Sequence, residues 1–234
     1  QTMPALRNTI IISAWKMALH LLVPVIVSIL LNEIQSNAFR RISQTLIYLP
    51  HFLSWIILAG IMIDLLSPNG GLVNRFLGLF GAEPIFFLGS NKWFRFTLVF
   101  TDVWKEFGFG TIVYLAAITN IDPTQYEAAT IDGANRFQRI MHVTLPNMRM
   151  IIVLMMVLSL GNVLNAGFDQ VYNMYSEAVY STGDILDTFI YRLSFKNGLW
   201  GQSAAVSMFK SVVSTLFISV SYLCAYKFAD YRVF

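Results

Sequence analysis

Five long apolar runs constrain the fold of this 234-residue chain more than any other feature. A helix needs about 20 residues, at about 1.5 Å of rise each, to cross a bilayer core of about 30 Å. A run such as "LLVPVIVSILL" is apolar on every side, which favours a lipid-facing helix over a helix of a soluble bundle. The sequence therefore predicts an all-α, polytopic membrane protein with about five transmembrane helices. These helices are expected near residues 9–31, 46–66, 94–118, 146–166 and 203–225.

The composition agrees with contact with a lipid bilayer. Hydrophobic residues make up 56% of the chain and charged residues only 12%, whereas about a quarter of the residues in soluble domains are charged. Lys and Arg together number 16 and Asp and Glu 13, a balance too even to indicate a nucleic-acid partner. Cys224 is the single cysteine and lies in an apolar run, so we expect a buried, inert thiol and no disulfide within the chain.

The polar segments between the apolar runs indicate which side of the membrane each one faces. With five helices, segments 32–45, 119–145 and 226–234 share one side, and they are richer in Lys and Arg per residue than the segments on the other side. Because basic residues are enriched in cytoplasmic loops, this bias predicts that segment 119–145 lies in the cytoplasm.

Segment 119–145 carries its own helix signals, although most of the chain is apolar. Asp122 can cap free N–H groups, Pro123 suits the first helical position, and Gln125 can act as a capping-box partner. Gly133 relaxes the steric bar to the left-handed backbone conformation that commonly ends a helix. We therefore expect two short helices that meet at this glycine. A single amphipathic helix lying on the membrane surface is the alternative.

The same segment resembles the EAA signature, E-A-A-x3-G-x9-I-x-L-P, of permease subunits in ATP-binding cassette (ABC) importers. Glu127-Ala128-Ala129 is followed after three residues by Gly133, and after nine more by Val143-x-Leu145-Pro146, with valine in place of the usual isoleucine. Pro146 is expected to begin the next membrane helix. Further stretches are similar to the carbohydrate-uptake branch of this family, which includes the maltose permease: "IYLP", "NGGLVN", the Trp104 region and "YSTGDILDTFIYR".

The resemblance implies that residues 123–133 form the coupling helix, which docks in a cleft of a nucleotide-binding ATPase subunit. Glu127 would pair with a basic residue of that cleft, which Tyr126 and Ala129 would also meet. ATP and Mg²⁺ would bind to the partner subunit, and we expect this chain to bind no cofactor and to be no enzyme. The candidate coupling residues are Tyr126, Glu127, Ala128, Ala129, Asp132, Gly133, Leu145 and Pro146.

The resemblance also implies an assembly in the bacterial cytoplasmic (inner) membrane. A second homologous permease subunit would complete the pathway, and an extracellular or periplasmic solute-binding protein would deliver an oligosaccharide. Residues 1–234 would form a single transmembrane domain. Permeases of this kind commonly have at least one more span before the first one found here, so we expect one or more N-terminal spans to be missing from this chain.

Polar side chains inside the apolar runs predict a passage for the substrate. A charge within a span costs at least about 2.5 kcal/mol on insertion scales, so it should face protein or water. Sugars are bound by amides and carboxylates, and aromatic rings stack on their C–H surfaces. Each of these side chains could instead join helices or anchor them at the interface. The candidate residues of the substrate path are His51, Trp55, Asp102, Trp104, Lys105, Glu106, Phe109, Asn162, Asn165, Asp169 and Lys210.

Within this set, the resemblance implies sugar-contacting positions at His51, Trp55, Glu106, Phe109 and Asn165. The fourth apolar helix is also expected to carry a polar stripe that includes Asn162, Asn165 and Asp169.

Lysines within the spans suggest the charge of the cargo. Lys105 could be neutralised by Asp102, which would leave Lys210 and Lys16 available. Because a buried ammonium group is costly unless an anion shares its site, these residues predict an acidic oligosaccharide such as a uronate-containing chain. The alternative is that the lysines reach the membrane interface or pair with the second permease.

Two other classes of function stay open at this point. Asp102, Glu106 and His51 could serve an intramembrane enzyme, and the buried carboxylates could serve an ion-coupled secondary carrier. Neither class accounts for the signature at 127–146. The histidines lack metal-ligand spacing, so no metal site is expected.

Overall fold

The computed structural model describes the backbone of residues 2–229 and the side chains of residues 2–223, and this part of the chain is helical with no strand. Cys224, Lys227 and Arg232, which the sequence interpretation used, have side chains outside the described residues. The α-helices are α1 Thr2–Asn32, α2 Asn37–Tyr48, α3 Trp55–Leu65, α4 Leu72–Gly78, α5 Phe94–Thr119, α6 Pro123–Ile131, α7 Arg136–Arg139, α8 Leu145–Leu160, α9 Phe168–Met174, α10 Tyr180–Gly183, α11 Leu186–Tyr191 and α12 Trp200–Ala229.

Three helices in the described part of the chain are long and apolar enough to cross a membrane: Thr2–Asn32, Arg136–Leu160 and Trp200–Leu223. A fourth span results if the bent pair Asn37–Phe52 and Trp55–Leu65 counts as one. Helices form at all five predicted runs, and α5 has the length of a span but also carries four charged residues. The all-α membrane fold is confirmed, and by length and composition the described residues contain three or four candidate spans, where about five were predicted.

The second apolar run is broken, although a continuous helix was predicted over 46–66. A 3₁₀ turn at Leu49–Phe52 separates α2 from α3. Pro50 lies in this turn, and a proline removes a backbone donor and disfavours helical geometry at the residue before it. Ser54 restarts the helix, because its side chain accepts a hydrogen bond of 3.4 Å from the backbone N–H of Ile57. His51 therefore lies in a turn and not on a helix face.

The fourth apolar run begins earlier than predicted. Helix is continuous from Arg136 to Leu160, and the wider π-helical turn Ile140–Thr144 directly precedes Pro146. Leu145 donates its N–H to the carbonyl of Ile140, five residues back. The wider turn makes room for a proline ring that would clash with a regular α-helical carbonyl. Pro146 lies in the first turn of α8, as expected, but helical structure from Arg136 onward precedes it without a break.

The same helix also ends earlier than predicted, at Leu160. Asn162 and Asn165 lie in the turn that follows, where the Asn165 N–H donates to the Asn162 carbonyl over 2.8 Å. Asp169 lies in the first turn of α9. These residues therefore do not form a stripe on one helix, as had been expected.

The described residues fall into two compact units, each with its own core. Unit 1 lies within Gln1–Lys16, Leu53–Asp102 and Asn162–Phe217, and unit 2 lies within Met17–Phe52, Val103–Gly161 and Ile218–Phe234. The core of unit 1 includes Ile12, Leu58, Phe94, Leu98 and Val171.

In unit 2, the core is built by residues of α1, α5 and α8: Val25, Tyr114, Ile118 and Met148. Gly108 lets α5 approach α2 closely, because a Cβ atom at this position would lie 1.9 Å from the carbonyl oxygen of Ile47.

Candidate coupling segment and substrate path

The coupling segment begins with the predicted cap. The side chain of Asp122 accepts a hydrogen bond of 2.9 Å from the backbone N–H of Thr124, and Pro123 occupies the first helical position of α6. This hydrogen bond lowers the pKa of the Asp122 carboxyl group, so the capping carboxylate stays charged at neutral pH. The predicted start of the helix is confirmed.

Gln125 does not complete the capping box that was predicted for α6. Its side-chain oxygen accepts a hydrogen bond of 2.8 Å from the amide of Asn147, which joins α6 to α8. A capping box instead opens α7: the Asn135 side chain accepts from the Gln138 N–H over 2.9 Å, and the Gln138 side chain accepts from the Asn135 N–H over 2.8 Å. The capping box was thus predicted for the wrong helix of the pair.

Gly133 ends α6 in the left-handed conformation, with φ of +78°. Its N–H donates to the Thr130 carbonyl over 3.1 Å, and the Ala134 N–H donates to the Ala129 carbonyl over 2.9 Å. These two bonds form a Schellman motif, which satisfies the last carbonyls of the helix. The two short helices that were predicted to meet at this glycine are present.

The candidate coupling residues differ in how far their side chains are exposed. Glu127 and Ala128 are exposed, whereas Ala129 is partly buried. Tyr126 is also partly buried, and its hydroxyl lies 3.0 Å from the Thr144 hydroxyl. The side chain that is expected to meet an ATPase cleft is therefore already engaged within this chain. Of the remaining coupling residues, Leu145 packs against the core of unit 2, and Asp132 and Pro146 are exposed.

Two large apolar side chains extend the exposed surface of the segment. Ile131 is 87% exposed and Phe137 is 69% exposed, one on each side of Gly133. The interpretation of the sequence did not include them among the coupling residues. The signal that could have found them is an apolar residue on a short, polar helix that has no core to cover it.

Four predicted path residues come together in unit 2. His51 Nδ1 lies 2.7 Å from Glu106 Oε2, and Lys105 Nζ donates to Glu106 Oε1 over 2.6 Å. Lys105 also donates to the His51 carbonyl over 2.9 Å, and the ring of Phe109 stacks on that of His51 with centroids 4.1 Å apart. The side chains of His51 and Glu106 are 27% and 30% exposed. This half-exposed group offers a carboxylate, an imidazole and a flat aromatic ring to a ligand.

A second polar group is fully buried in unit 1. Lys16 Nζ lies 3.1 Å from Asp102 Oδ1 and donates to the Ala166 carbonyl and to Gln170 Oε1 over 2.8 and 2.5 Å. The Gln170 amide in turn donates to the Leu98 carbonyl over 2.7 Å. Gln170 was absent from the predicted site, since one amide on a short helix gives no sequence signal.

The expectation that Lys210 and Lys16 lack a carboxylate partner is wrong. Lys210 forms an ion pair with Asp187, and Lys16 forms one with Asp102. Lys105 pairs with Glu106. An unpaired ammonium group in the spans therefore gives no support for an acidic cargo.

The remaining candidates do not join either polar group through a described contact. Trp55 packs against the core of unit 1, and Trp104 is partly exposed on α5. Asn162, Asn165 and Asp169 are exposed. Among the described residues, no cluster of three or more His, Cys, Asp or Glu could hold a metal ion.

An aromatic cluster in unit 1 was not anticipated. Tyr172 packs edge-to-face on Tyr191 with centroids 4.8 Å apart, and Tyr175 packs on Tyr180 at 5.1 Å. Burial, followed by the nearby Tyr180, raises the pKa of Tyr175, so its hydroxyl stays neutral throughout the physiological range. The members of this cluster are Phe168, Tyr172, Tyr175, Tyr180, Tyr191, Phe195 and Trp200.

Comparison with known proteins assigns the class. Residues 20–233 match the family described as "Binding-protein-dependent transport system inner membrane component". This chain belongs to that family, and the resemblance to permease subunits of ABC importers is confirmed. It is a membrane permease component and not an enzyme, which excludes the intramembrane-enzyme alternative.

Two proteins of Bacillus subtilis are similar to this chain over almost its whole length. The chain is 38% identical to the Polygalacturonan/rhamnogalacturonan transport system permease protein YteP of Bacillus subtilis (strain 168), over 98% of its own length and 71% of that protein. It is 39% identical to Protein LplB of the same organism, over 98% and 72%.

A solved structure agrees with these relatives. A chain of a bacterial ABC transporter involved in the import of the acidic polysaccharide alginate superimposes with a TM-score of 0.92 at 35% identity, over 97% of this chain and 79% of that one. A second structure of a bacterial alginate ABC transporter, in complex with an alginate pentasaccharide-bound periplasmic protein, gives a TM-score of 0.93, also at 35% identity, over 99% and 80%.

Proposed function

We propose that this chain is the permease subunit of an ATP-driven importer for uronate-containing oligosaccharides. A partner solute-binding protein delivers the sugar, a second permease subunit completes the pathway, and ATP with Mg²⁺ binds to nucleotide-binding subunits. The observation that carries the proposal is the similarity, at 35–38% identity, to a polygalacturonan/rhamnogalacturonan permease and to an alginate importer. Polygalacturonan and alginate are both chains of uronic acids, so the two relatives share an acidic cargo.

The paired lysines are compatible with an acidic cargo for a reason that differs from the sequence argument. A transported ligand must bind strongly enough to enter and weakly enough to leave. An ammonium group without a counter-ion in a low-dielectric passage would hold a polyanion too tightly. Lys105 is neutralised by Glu106, and the half-exposed His51 ring offers hydrogen-bonding capacity to a ligand.

The coupling segment supplies the energy input in this proposal. Segment 119–145 lies in the cytoplasm, and α6 docks in a cleft of the ATPase subunit. Its exposed surface offers the Glu127 carboxylate for a basic partner, while Ile131 and Phe137 offer apolar area of the kind found at interface centres. Closure of the ATPase dimer would then move α6 and the helices bonded to it.

The test is reconstitution of the permease with its partner subunits and solute-binding protein in lipid nanodiscs. Oligogalacturonates and alginate oligomers are compared with neutral maltooligosaccharides of the same length, and ATP hydrolysis is measured. We expect the uronate oligomers to stimulate hydrolysis and the neutral oligomers to leave it near the basal rate. Equal stimulation by both sets would contradict an acidic cargo, and the same assembly without sugar serves as the control.

A further inference from the structure

A cavity of about 340 Å³ lies beside the coupling segment in unit 2. One wall comes from the end of α1, the following turn and the start of α2, and it includes Glu33 and Arg40. The other wall comes from the coupling segment, with Tyr126, Arg136 and Arg139. The volume falls within the range of about 300–1,000 Å³ that is typical of small-molecule sites.

The three guanidinium groups of this cavity have no carboxylate partner among the residues whose side chains the structure describes. Arg40 Nη2 donates to the carbonyls of Asn32 and Ile34 over 3.1 and 2.7 Å, which fixes its orientation, while its Nε is buried without a hydrogen-bond partner. Arg139 donates to the Thr130 hydroxyl over 3.2 Å. These bonds satisfy a small part of the donors that the three groups carry.

The charge of the cavity favours an anion. Glu33 is the one acidic residue in the lining, so three arginines leave a surplus of two positive charges. Guanidinium groups bind phosphate oxygens in a two-pronged geometry, which makes arginine the preferred residue for recognising a phosphate. A buried donor such as Arg40 Nε gains most from such a ligand, because it has lost water without gaining another partner.

The position of the cavity indicates where such a phosphate comes from. α1 ends at Asn32 and the candidate span Arg136–Leu160 begins at Arg136, so residues at the ends of two candidate spans line the cavity. The ends of spans lie at the level of the lipid headgroups, and basic pockets between membrane helices on the cytoplasmic side bind anionic headgroups. A soluble phosphate compound would meet the same groups from the cytoplasm.

We propose that this arginine cavity binds the phosphate of an anionic ligand, with a membrane phospholipid as the source that its location favours. The ligand joins the α1–α2 connection, through Arg40, to the coupling segment, through Arg136 and Arg139. Because Tyr126 of the coupling helix lines the same cavity, occupancy holds α6 against the connection between α1 and α2. The composition of the membrane thereby affects how firmly the coupling helix is held.

The experiment uses the full chain purified in a neutral detergent, so that its outcome is independent of the sugar and of the ATPase. Binding of phosphatidylglycerol is measured by native mass spectrometry and by the shift in melting temperature. Phosphatidylcholine also carries an anionic phosphate, but its choline group cancels that charge, so it is the lipid control without net charge. Inorganic phosphate at millimolar concentration is the separate arm for a soluble ligand.

Arg136→Gln and Arg139→Gln test the cavity, and Arg41→Gln is the matched control, because Arg41 is exposed next to Arg40 and does not line it. We expect each cavity variant to bind phosphatidylglycerol about fivefold more weakly, and the control to bind it normally. Arg136→Lys keeps the positive charge but loses the two-pronged guanidinium geometry. Its affinity for phosphatidylglycerol should therefore lie between that of Arg136→Gln and that of the control.

Each possible result decides the proposal. Saturable binding of inorganic phosphate that the Gln variants weaken, without preference for phosphatidylglycerol, would support the phosphate site and assign it to a soluble ligand. The proposal would be overturned if both lipids bind equally, inorganic phosphate causes no shift in melting temperature, and every variant binds the lipids like the unmutated chain. If a Gln variant does not fold, the Lys variant and the unmutated chain still give the comparison.

Discussion

Helix α5 carries two carboxylates, Asp102 and Glu106, each of which pairs with a basic side chain, and the two pairs differ mainly in burial. Asp102 pairs with Lys16 inside unit 1, where their side chains are 11% and 7% exposed. Glu106 bonds to His51 in unit 2, where both side chains are about three times more exposed than that. An ion pair without access to water can only hold helices together, whereas a half-exposed one can exchange partners with a ligand. Burial therefore predicts a structural role for Asp102, whereas under the proposed function Glu106 can contact the transported sugar.

The largest effect is expected at the buried pair. Removing one partner of a buried ion pair leaves a charge without compensation and typically costs about 3–5 kcal/mol. Asp102→Ala should therefore lower the free energy of unfolding by about this amount, measured by thermal or denaturant unfolding of the chain in micelles. Asp169→Ala is the control, because this carboxylate is exposed in the same unit. Similar losses in both variants would remove the distinction by burial.

Glu127 represents a third degree of burial, since it is exposed on α6. Glu127→Lys should leave the stability of the chain unchanged and abolish sugar-stimulated ATP hydrolysis. Truncating one partner of an interface charge pair costs about 2–5 kcal/mol, and reversal of the charge costs at least as much. Co-purification of the ATPase subunit and its activity are measured, with the exposed Glu83→Lys as the control. Normal transport by the Glu127 variant would contradict the coupling assignment.

A substitution in the half-exposed group around Glu106 should change the transport rate rather than the stability of the chain. Glu106→Gln removes one negative charge beside Lys105, so an acidic oligosaccharide should be held longer. Hydrogen bonds to charged groups contribute about 1.5–3 kcal/mol, so turnover should fall about tenfold or more and KM should fall with it. Neutral oligosaccharides should be much less affected. A loss of melting temperature like that of the Asp102 variant, with no change in KM, would assign Glu106 a structural role instead.

The smallest effect is expected from substitutions of Gly133, because no buried contact is lost or gained there. An added Cβ atom at Gly133 would meet nothing within 4 Å, so a substitution there tests the left-handed backbone alone. Gly133→Ala should weaken association with the ATPase subunit by about 1–2 kcal/mol. Gly133→Asn should weaken it less, because asparagine tolerates this conformation better. Identical affinities for Gly, Ala and Asn would mean that the turn does not position α6.

The coupling segment was largely predictable because its structure is set by neighbours in the sequence. Asp122, Pro123 and Gly133 act on backbone groups within a few residues, so their roles follow from residue type. Gln125 was misassigned because a residue of another helix, Asn147, competes for its side chain. The break at Pro50 had a sequence signal that the strong hydropathy of the run outweighed.

The polar groups of the spans could not be paired from sequence. Lys16 and Asp102 lie on different helices, and Lys210 and Asp187 also come from separate elements. Which carboxylate meets which lysine depends on helix rotation and packing, and an apolar run contains no information on either. The sequence singles out His51, Lys105 and Glu106 as polar residues of the apolar runs, but the stacking of Phe109 on His51 depends on the turn at Leu49–Phe52, which was not predicted.

The unbroken helix from Arg136 to Leu160 has a mechanical consequence. A rod of 25 residues at about 1.5 Å each is about 37 Å long, so a displacement of the end at Arg136 can be carried along the helix to the end at Leu160. The wide turn at Ile140–Thr144 holds one more residue than a regular turn, so it is where the geometry of the rod departs from that of an α-helix. How far the end at Leu160 moves for a given displacement at Arg136 would thus depend on how stiff this one turn is.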